Sequence, residues 1–209
     1  MSAQVYDENP VPAPKGAIVL FDGKSLSDWT HTNGRPAIWT LADGMMEVNI
    51  GSGDIQTKQQ FGDFELHLEF WLPLMADKTS QARANSGVFL QGRYEIQVLD
   101  SYNNETYAKG ECGAIYGLKS PDVNAARPPE HWQTYDVIFR AARFDAGGKK
   151  TENARATVLW NGVKIHDNVE VEKPTGGGTE EGKGGPLRLQ DHGNKIRYRN
   201  IWSVPKDVK

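Results

Sequence analysis

Cysteine is almost absent from this sequence: its 209 residues include one, Cys112. A single cysteine excludes an internal disulfide and a cysteine-based zinc site. No apolar run approaches the roughly 20 residues that a membrane helix needs, so membrane insertion is not expected. The charges nearly cancel, with 24 Lys and Arg against 27 Asp and Glu. A nucleic-acid partner is therefore not expected either, because phosphate binding requires a concentrated basic face.

Turn-forming and aromatic residues, by contrast, are plentiful. The chain has 22 Gly, 11 Pro, six Trp and seven Tyr, although only 38% of its residues are hydrophobic. This composition favours an all-β sandwich or barrel. The length fits one domain large enough to fold without a disulfide or structural metal. We assign residues 1–16 to a Pro-rich N-terminal extension and residues 17–209 to a single β-sandwich domain.

Hydrophobic residues recur with a period of two rather than with the spacing of a helix. The clearest run covers residues 64–72, where alternate side chains are apolar. This pattern predicts a long antiparallel strand with one apolar and one solvent-exposed face. His67 falls on the solvent-exposed face and is predicted to be a surface residue. Shorter runs of the same kind occur at residues 94–98, 135–139 and 156–160.

Turn signals separate about a dozen candidate strands. Asp43-Gly44 and Asn161-Gly162 lie between alternating segments and favour two-residue hairpins. Residues 75–85 and 173–185 are predicted to be loops. The second loop is rich in glycine but lacks the Gly-Lys-Ser/Thr ending of a phosphate-binding loop.

The predicted strand at residues 93–100 has the densest group of polar side chains. Alternation directs Glu95 and Gln97 away from the core, on the face opposite to Tyr94 and Ile96. Asp100 would point inward unless a bulge or the strand end re-aims it. Carboxylates on an open sheet face can supply a base and an acid. The alternative is a solvated strand edge whose charged side chains have no function beyond keeping this face exposed to water.

Several blocks around this strand, taken in order, resemble the 3-keto-disaccharide hydrolase family. The resemblance runs from about residue 17 to residue 205, nearly the whole chain, and its blocks are residues 20–26, 85–90, 113–117, 185–193 and 196–201. It implies a concanavalin A-like jelly roll of two antiparallel sheets with a concave sugar-binding face. It also implies a bacterial protein that is periplasmic or secreted, with the leader absent here. The sequence itself leaves a cytoplasmic location open.

Residues 95–100 further resemble the catalytic strand Glu-x-Asp-x-x-Glu of laminarinase-type hydrolases. Glu95 and Asp100 match the outer acids, whereas Gln97 replaces the central Asp. This departure argues against an ordinary double-displacement mechanism, because the central carboxylate tunes its neighbours.

A 3-keto sugar would be cleaved by different chemistry. The ketone acidifies the hydrogen on C2, so a general base can remove it and form an enolate. The glycosidic oxygen on C1 is then expelled, and addition of water gives net hydrolysis. This route requires a base, a cationic or hydrogen-bonding group at the C3 oxygen, and an acid for the leaving group.

The resemblance and the strand pattern together suggest roles for individual residues. We expect Glu95 to be the base, Gln97 a hydrogen-bonding positioner and Asp100 the acid or an ion ligand. His192 is the second candidate for proton transfer. Arg93 or Lys119 would polarise the carbonyl. The remaining candidate substrate-binding residues are Asn85, Tyr116, Trp132 and Gln190.

The sequence leaves three hypotheses about function open. The first is cleavage of the glycosidic bond of a 3-keto-glycoside or disaccharide, with a small saccharide as partner. The others are a non-catalytic carbohydrate-binding module and a conventional retaining glycoside hydrolase. No cofactor is assigned; a divalent metal is an open alternative, with residues 100–105 as oxygen-rich candidates. Oligomeric state is not predicted.

Overall fold

The protein is described by a computed structural model covering residues 5–175 and 181–206. Fifteen strands lie in these segments: β1 (Ile18–Phe21), β2 (Trp29–His31), β3 (Thr40–Ala42), β4 (Met45–Glu47), β5 (Ile55–Thr57), β6 (Asp63–Trp71), β7 (Asn85–Leu90), β8 (Tyr94–Leu99), β9 (Trp132–Arg140), β10 (Arg143–Phe144), β11 (Lys150–Glu152), β12 (Ala154–Trp160), β13 (Val163–Val171), β14 (Arg188–Leu189) and β15 (Arg197–Lys206). The only helical segments among the described residues are short 3₁₀ turns at Ser80–Ala82 and Ala108–Gly110. No helix in these segments is long and apolar enough to cross a membrane.

Two antiparallel sheets form the sandwich. The larger one has eight strands in the order β13-β12-β9-β6-β15-β4-β3, with β1 also paired to β15. The smaller one has five strands in the order β2-β5-β14-β7-β8, and β10 and β11 form a separate ribbon. The concanavalin A-like sandwich expected from the sequence is thus confirmed. The two sheets bury their apolar faces against each other, which is the arrangement that stabilises such folds.

The predicted turns and strand faces are largely confirmed. Asp43 and Gly44 connect β3 to β4 with φ of 52° and 77°, and Asn161 and Gly162 connect β12 to β13 with φ of 53° and 78°. Positive φ at both central residues is the geometry expected of these hairpins. The predicted 173–185 loop lies partly outside the described residues, at 176–180.

The core is built largely from aromatic side chains. Trp29, Trp160, Tyr94, Tyr135 and Tyr198 are among its largest fully buried members. Cys112 is also fully buried, with its Sγ 3.1 Å from the Tyr135 Oη. Burial raises the pKa of the Cys112 thiol to about 12, so the thiol stays protonated and unreactive at neutral pH.

The prediction that His67 lies on the protein surface is wrong. Its side chain is completely buried, stacked on Trp202 with ring centroids 4.9 Å apart. The Nδ1 of His67 lies 2.6 Å from Asp136 Oδ1, and its Nε2 lies 3.4 Å from Glu69 Oε1. Burial alone would lower the pKa of His67, but the hydrogen bonds to these two carboxylates raise it above its ordinary value.

The N-terminal segment covers this face of the larger sheet and so shields it from solvent. The Val11 N–H donates to Glu69 Oε1 at 2.9 Å, and the Asn200 side-chain amide donates to the Val11 carbonyl at 2.7 Å. Arg199 donates to the carbonyl of Glu8. Strand alternation predicts which face a residue occupies, but it gives no information about which distant segment covers that face.

Candidate active site

One row of outward-facing side chains crosses the whole smaller sheet. In the strand register Glu95 lies opposite Phe89, Phe89 opposite Arg188, Arg188 opposite Gln56, and Gln56 opposite Thr30. Residues paired directly across strands point to the same face. Their neighbours along the strands, such as Val88 and Ile96, lie in the core. We call these five residues the first row.

A second row lies one pleat further along the strands. Gln97 is opposite Gly87, and the Gln190 N–H donates to the Gly87 carbonyl at 3.0 Å. Asp54 precedes the buried Ile55 at the start of β5, so alternation directs it to the same face. The second row therefore consists of Gln97, Gly87, Gln190 and Asp54.

Glu95 is the most perturbed acid on this face. The residue is 6% exposed, and its carboxylate accepts no hydrogen bond from the described residues. Burial raises the pKa of Glu95 to about 7; the Asp54 charge raises it further, while the Arg188 charge opposes the shift. A carboxyl that is half ionised near neutral pH is suited to proton transfer.

Glycine at position 87 provides the space that the Glu95 carboxyl occupies. A Cβ on Gly87 would lie 2.5 Å from Glu95 Oε1 and 2.8 Å from Phe89 Cε2. Real Cβ atoms do not approach other atoms this closely. The gap left by Gly87 in the second row therefore allows the carboxyl group to lie where it does.

Arg188 is the cation of the site. Its guanidinium lies 3.9 Å from the centroid of the Phe89 ring, and its Nε lies 3.7 Å from Asp54 Oδ2. Burial lowers the pKa of Arg188, and the charges of Asp54 and Glu95 counteract this. Burial raises the pKa of Asp54, because it disfavours the charged form of an acid as it does that of a base. Two carboxylates and one guanidinium thus interact across a partly desolvated surface.

Gln97 presents an acceptor in a fixed orientation. Its Nε2 donates to Gln81 Oε1 at 3.1 Å and to the carbonyl oxygen of Gly110 at 3.2 Å. Because a backbone carbonyl can only accept, the amide cannot be flipped without losing the second bond. Gln97 Oε1 has no hydrogen-bond partner among the residues that the structure describes. An unpaired buried acceptor of this kind favours a ligand that carries a hydroxyl group.

The other predicted site residues fall into two groups. Gln190 lies in the second row, Tyr116 borders Glu95, and Asn85 donates to the Gln81 carbonyl at 2.9 Å near Gln97. His192 is exposed, and its charge lowers the pKa of Asp54, which places it beside that end of the second row.

The side chains of the second group are engaged with other parts of the protein. Asp100 is completely buried after the end of β8, and its Oδ2 is 2.7 Å from Arg83 Nε. Arg93 lies in the turn before β8 and donates to the Lys183 carbonyl at 3.1 Å. Lys119 is paired with Asp122 at 2.6 Å.

Trp132 belongs to the larger sheet, on the outer face that points away from the smaller one. It pairs in register with Trp71, and the guanidinium of Arg199 lies 4.0 Å from its ring centroid. Because two layers of backbone separate these faces, Trp132 does not lie on the same face as Glu95.

No three His, Cys, Asp or Glu side chains within residues 5–175 and 181–206 are grouped so that they could hold a metal ion. The oxygen-rich residues 100–105 are engaged within the protein: Asp100 faces Arg83, and the Asn104 amide donates to the Asp100 carbonyl at 2.7 Å. The Asp100 and Asn104 side chains are thus occupied by contacts within the protein.

Sequence reasoning missed three contributors to this face. Arg188 lies between Leu187 and Leu189, and that alternation was a usable signal for its outward orientation. Gly87 and Asp54 had no such signal, because their importance follows from pairing between strands that are distant in sequence.

The comparisons with known proteins agree with this fold. A candidate glycosyl hydrolase from Parabacteroides distasonis ATCC 8503 is 40% identical, with a TM-score of 0.86, covering 98% of this chain and 95% of that one. A second candidate glycosyl hydrolase from the same organism, 18% identical, has a TM-score of 0.70 and shows the shared fold over 92% of this chain and 95% of its own. No curated protein matches the sequence. Residues 16–203 match the family model described as a 3-keto-alpha-glucoside-1,2-lyase-like domain. The chain therefore belongs to the 3-keto-disaccharide hydrolase family.

Proposed function

We propose that this protein cleaves the glycosidic bond of 3-keto-glycosides, beginning with removal of the C2 proton by Glu95. The observation that carries the proposal is the buried Glu95 carboxyl, whose pKa is raised to about 7 beside the cationic Arg188. A base with a pKa near the working pH is ionised to a useful extent and is still basic enough to remove the proton.

Arg188 and Gln97 complete the proposed chemistry. Removal of the C2 proton places negative charge on the C3 oxygen, and the Arg188 guanidinium offers positive charge on the same face as the base. Such preorganised charge stabilises a developing oxyanion more effectively than water does. Gln97 Oε1 would accept a hydrogen bond from a sugar hydroxyl and so orient the ring. Expulsion of the C1 oxygen follows, and water adds to the resulting double bond to give net hydrolysis.

The direct test compares a 3-keto-glucoside with its unoxidised parent, analysed by mass spectrometry and NMR. We expect cleavage of the ketone alone, with a primary isotope effect when deuterium replaces the C2 hydrogen. Equal cleavage of the parent without an isotope effect would indicate a conventional glycosidase. Binding of the sugar without any cleavage would indicate a carbohydrate-binding module.

The pH dependence should reveal the ionisation of Glu95. Because the base acts in its ionised form, kcat/KM for a 3-keto-glucoside should rise with pH and reach half of its plateau near pH 7. The Asp54 charge raises the pKa of Glu95, so the Asp54→Asn variant should move this midpoint to lower pH. A midpoint that stays unchanged in Asp54→Asn, or an activity that falls as pH rises from 5 to 7, would contradict the assignment of Glu95.

A further inference from the structure

The proposed reaction requires an acid for the leaving group, and Asp100 and His192 are poorly placed for this role. Asp100 is completely buried and paired with Arg83 at 2.7 Å. His192 lies beside Asp54, at the end of the second row away from Glu95 and Gln97. On the other side of Glu95, β8 forms the edge of the sheet.

A chain segment covers this edge and places Tyr116 directly beside Glu95. Ile115 forms an antiparallel bridge with Ile96, and the Tyr116 N–H donates to the Glu95 carbonyl at 3.1 Å. In this register Tyr116 and Glu95 are neighbours across the pairing, so their side chains lie on the same face. Tyr116 thus extends the first row by one residue.

Tyr107 joins Tyr116 through its phenol group. The two hydroxyl oxygens are 2.6 Å apart. The Tyr107 ring packs on Gly110, where a Cβ would lie 2.1 Å from the ring carbon Cε2, so only glycine allows the ring to lie there. Either phenol can donate this hydrogen bond; when the Tyr116 hydroxyl donates to the Tyr107 oxygen, the Tyr107 proton remains free to be donated to a ligand. Tyr107 is 51% exposed, so it can be reached from solvent.

We propose that Tyr107, held in place by the hydroxyl of Tyr116, is the catalytic acid that protonates the departing glycosidic oxygen. This inference rests on the proposed function and assigns the one role that function leaves unfilled. The Glu95 carboxylate takes the C2 proton as the C2–H bond breaks. The C1–C2 double bond then forms as the C1–O bond breaks, and the Tyr107 proton moves to the leaving oxygen. The phenolate regains a proton from Glu95 or from water, so both residues return to their starting states.

The pKa values of Tyr107 and Glu95 suit their proposed roles as acid and base. Burial, the hydrogen bond with Tyr116 and the nearby Glu95 charge raise the pKa of Tyr107 to about 12. Tyr107 therefore keeps its proton at neutral pH, whereas Glu95 is about half ionised. A base and an acid whose pKa values are driven apart by their surroundings is the usual pattern of a proton-transfer pair.

The test exploits the leaving group. The 3-keto derivative of methyl glucoside releases a strongly basic alkoxide, which needs an acid, whereas the 3-keto derivative of 4-nitrophenyl glucoside releases a stable phenolate, which does not. We expect Tyr107→Phe to lower kcat on the methyl substrate about 10²-fold and on the nitrophenyl substrate less than about threefold. Tyr116→Phe should give the same pattern with a smaller loss, because the proton donor remains but is less well oriented.

Tyr102 provides the matched control, since it is exposed on the same connection between β8 and β9 and its hydroxyl makes no hydrogen bond with the described residues. Tyr102→Phe should retain wild-type rates on both substrates. Equal losses on both substrates in Tyr107→Phe would overturn the inference, as would a leaving-group pattern found in His192→Ala instead. If the wild-type protein cleaves neither substrate, it is the proposed function that fails.

Discussion

Replacing Glu95 by Gln should abolish turnover of 3-keto-glucosides while the protein remains folded. The amide is nearly isosteric with the carboxyl but cannot accept the C2 proton. General-base catalysis contributes about 10²- to 10⁴-fold, and we expect a loss of kcat in that range. The measurement is the initial rate of product formation under saturating substrate, with circular dichroism as the check on folding. Activity within about threefold of wild type would remove Glu95 from the mechanism.

The same substitution should stabilise the protein at neutral and alkaline pH. Glu95 holds its proton more tightly in the folded state, where its pKa is about 7, than in the unfolded chain, where it has its ordinary value of 4.5. The free energy of unfolding therefore falls as the pH rises between these two values, by on the order of 3 kcal/mol. Glu95→Gln removes this penalty, because the amide does not ionise.

Urea unfolding of both proteins at pH 4 and pH 8 measures the effect. We expect similar free energies of unfolding at pH 4, where Glu95 is protonated in both states, and a more stable variant at pH 8. This combination of lost activity and gained stability is typical of a residue kept in an unfavourable environment for function. A variant that is less stable at pH 8 would instead indicate that Glu95 serves the fold.

Replacing Gly87 by Ala should impair catalysis almost as severely, although position 87 bears no functional group. The added Cβ would lie 2.5 Å from Glu95 Oε1, so the carboxyl group must move. Displacing a catalytic group by about 1 Å costs on the order of 10²-fold in rate. We expect a fall in kcat of this size, together with a shift in the midpoint of the pH profile, because Glu95 would leave its buried position.

Gly62→Ala provides the control for Gly87→Ala. Like Gly87, Gly62 has no positive φ, but nothing lies within 4 Å of a Cβ built there. It should therefore retain wild-type kcat. Unchanged kcat and unchanged pH midpoint in Gly87→Ala would show that the carboxyl position is not critical.

The sequence is informative about the faces of strands and much less so about their neighbours. Alternation predicts correctly that Glu95 and Gln97 point away from the core, because the direction of side chains along a strand is a local property. It does not reveal that Trp132 belongs to the other sheet, since pairing between distant strands has no local signature.

The electrostatic environment of Glu95 was not predictable for the same reason. Its raised pKa depends on burial and on Arg188 and Asp54, which lie far away in sequence. Long-range pairing of β8 with β7, β14 and β5 brings these charges to one face. The family resemblance supplied the expected chemistry, whereas the three-dimensional structure is what groups these particular residues.

The fully buried Cys112 also makes this protein convenient for site-specific fluorescence. Because it is the single cysteine in the chain and its thiol is inaccessible, a maleimide dye would attach only where a second cysteine is introduced. Lys109 is exposed in the short 3₁₀ turn that follows Tyr107. A dye at a Lys109→Cys position would sit close to Tyr107, where its emission would report the arrival and departure of a sugar in real time.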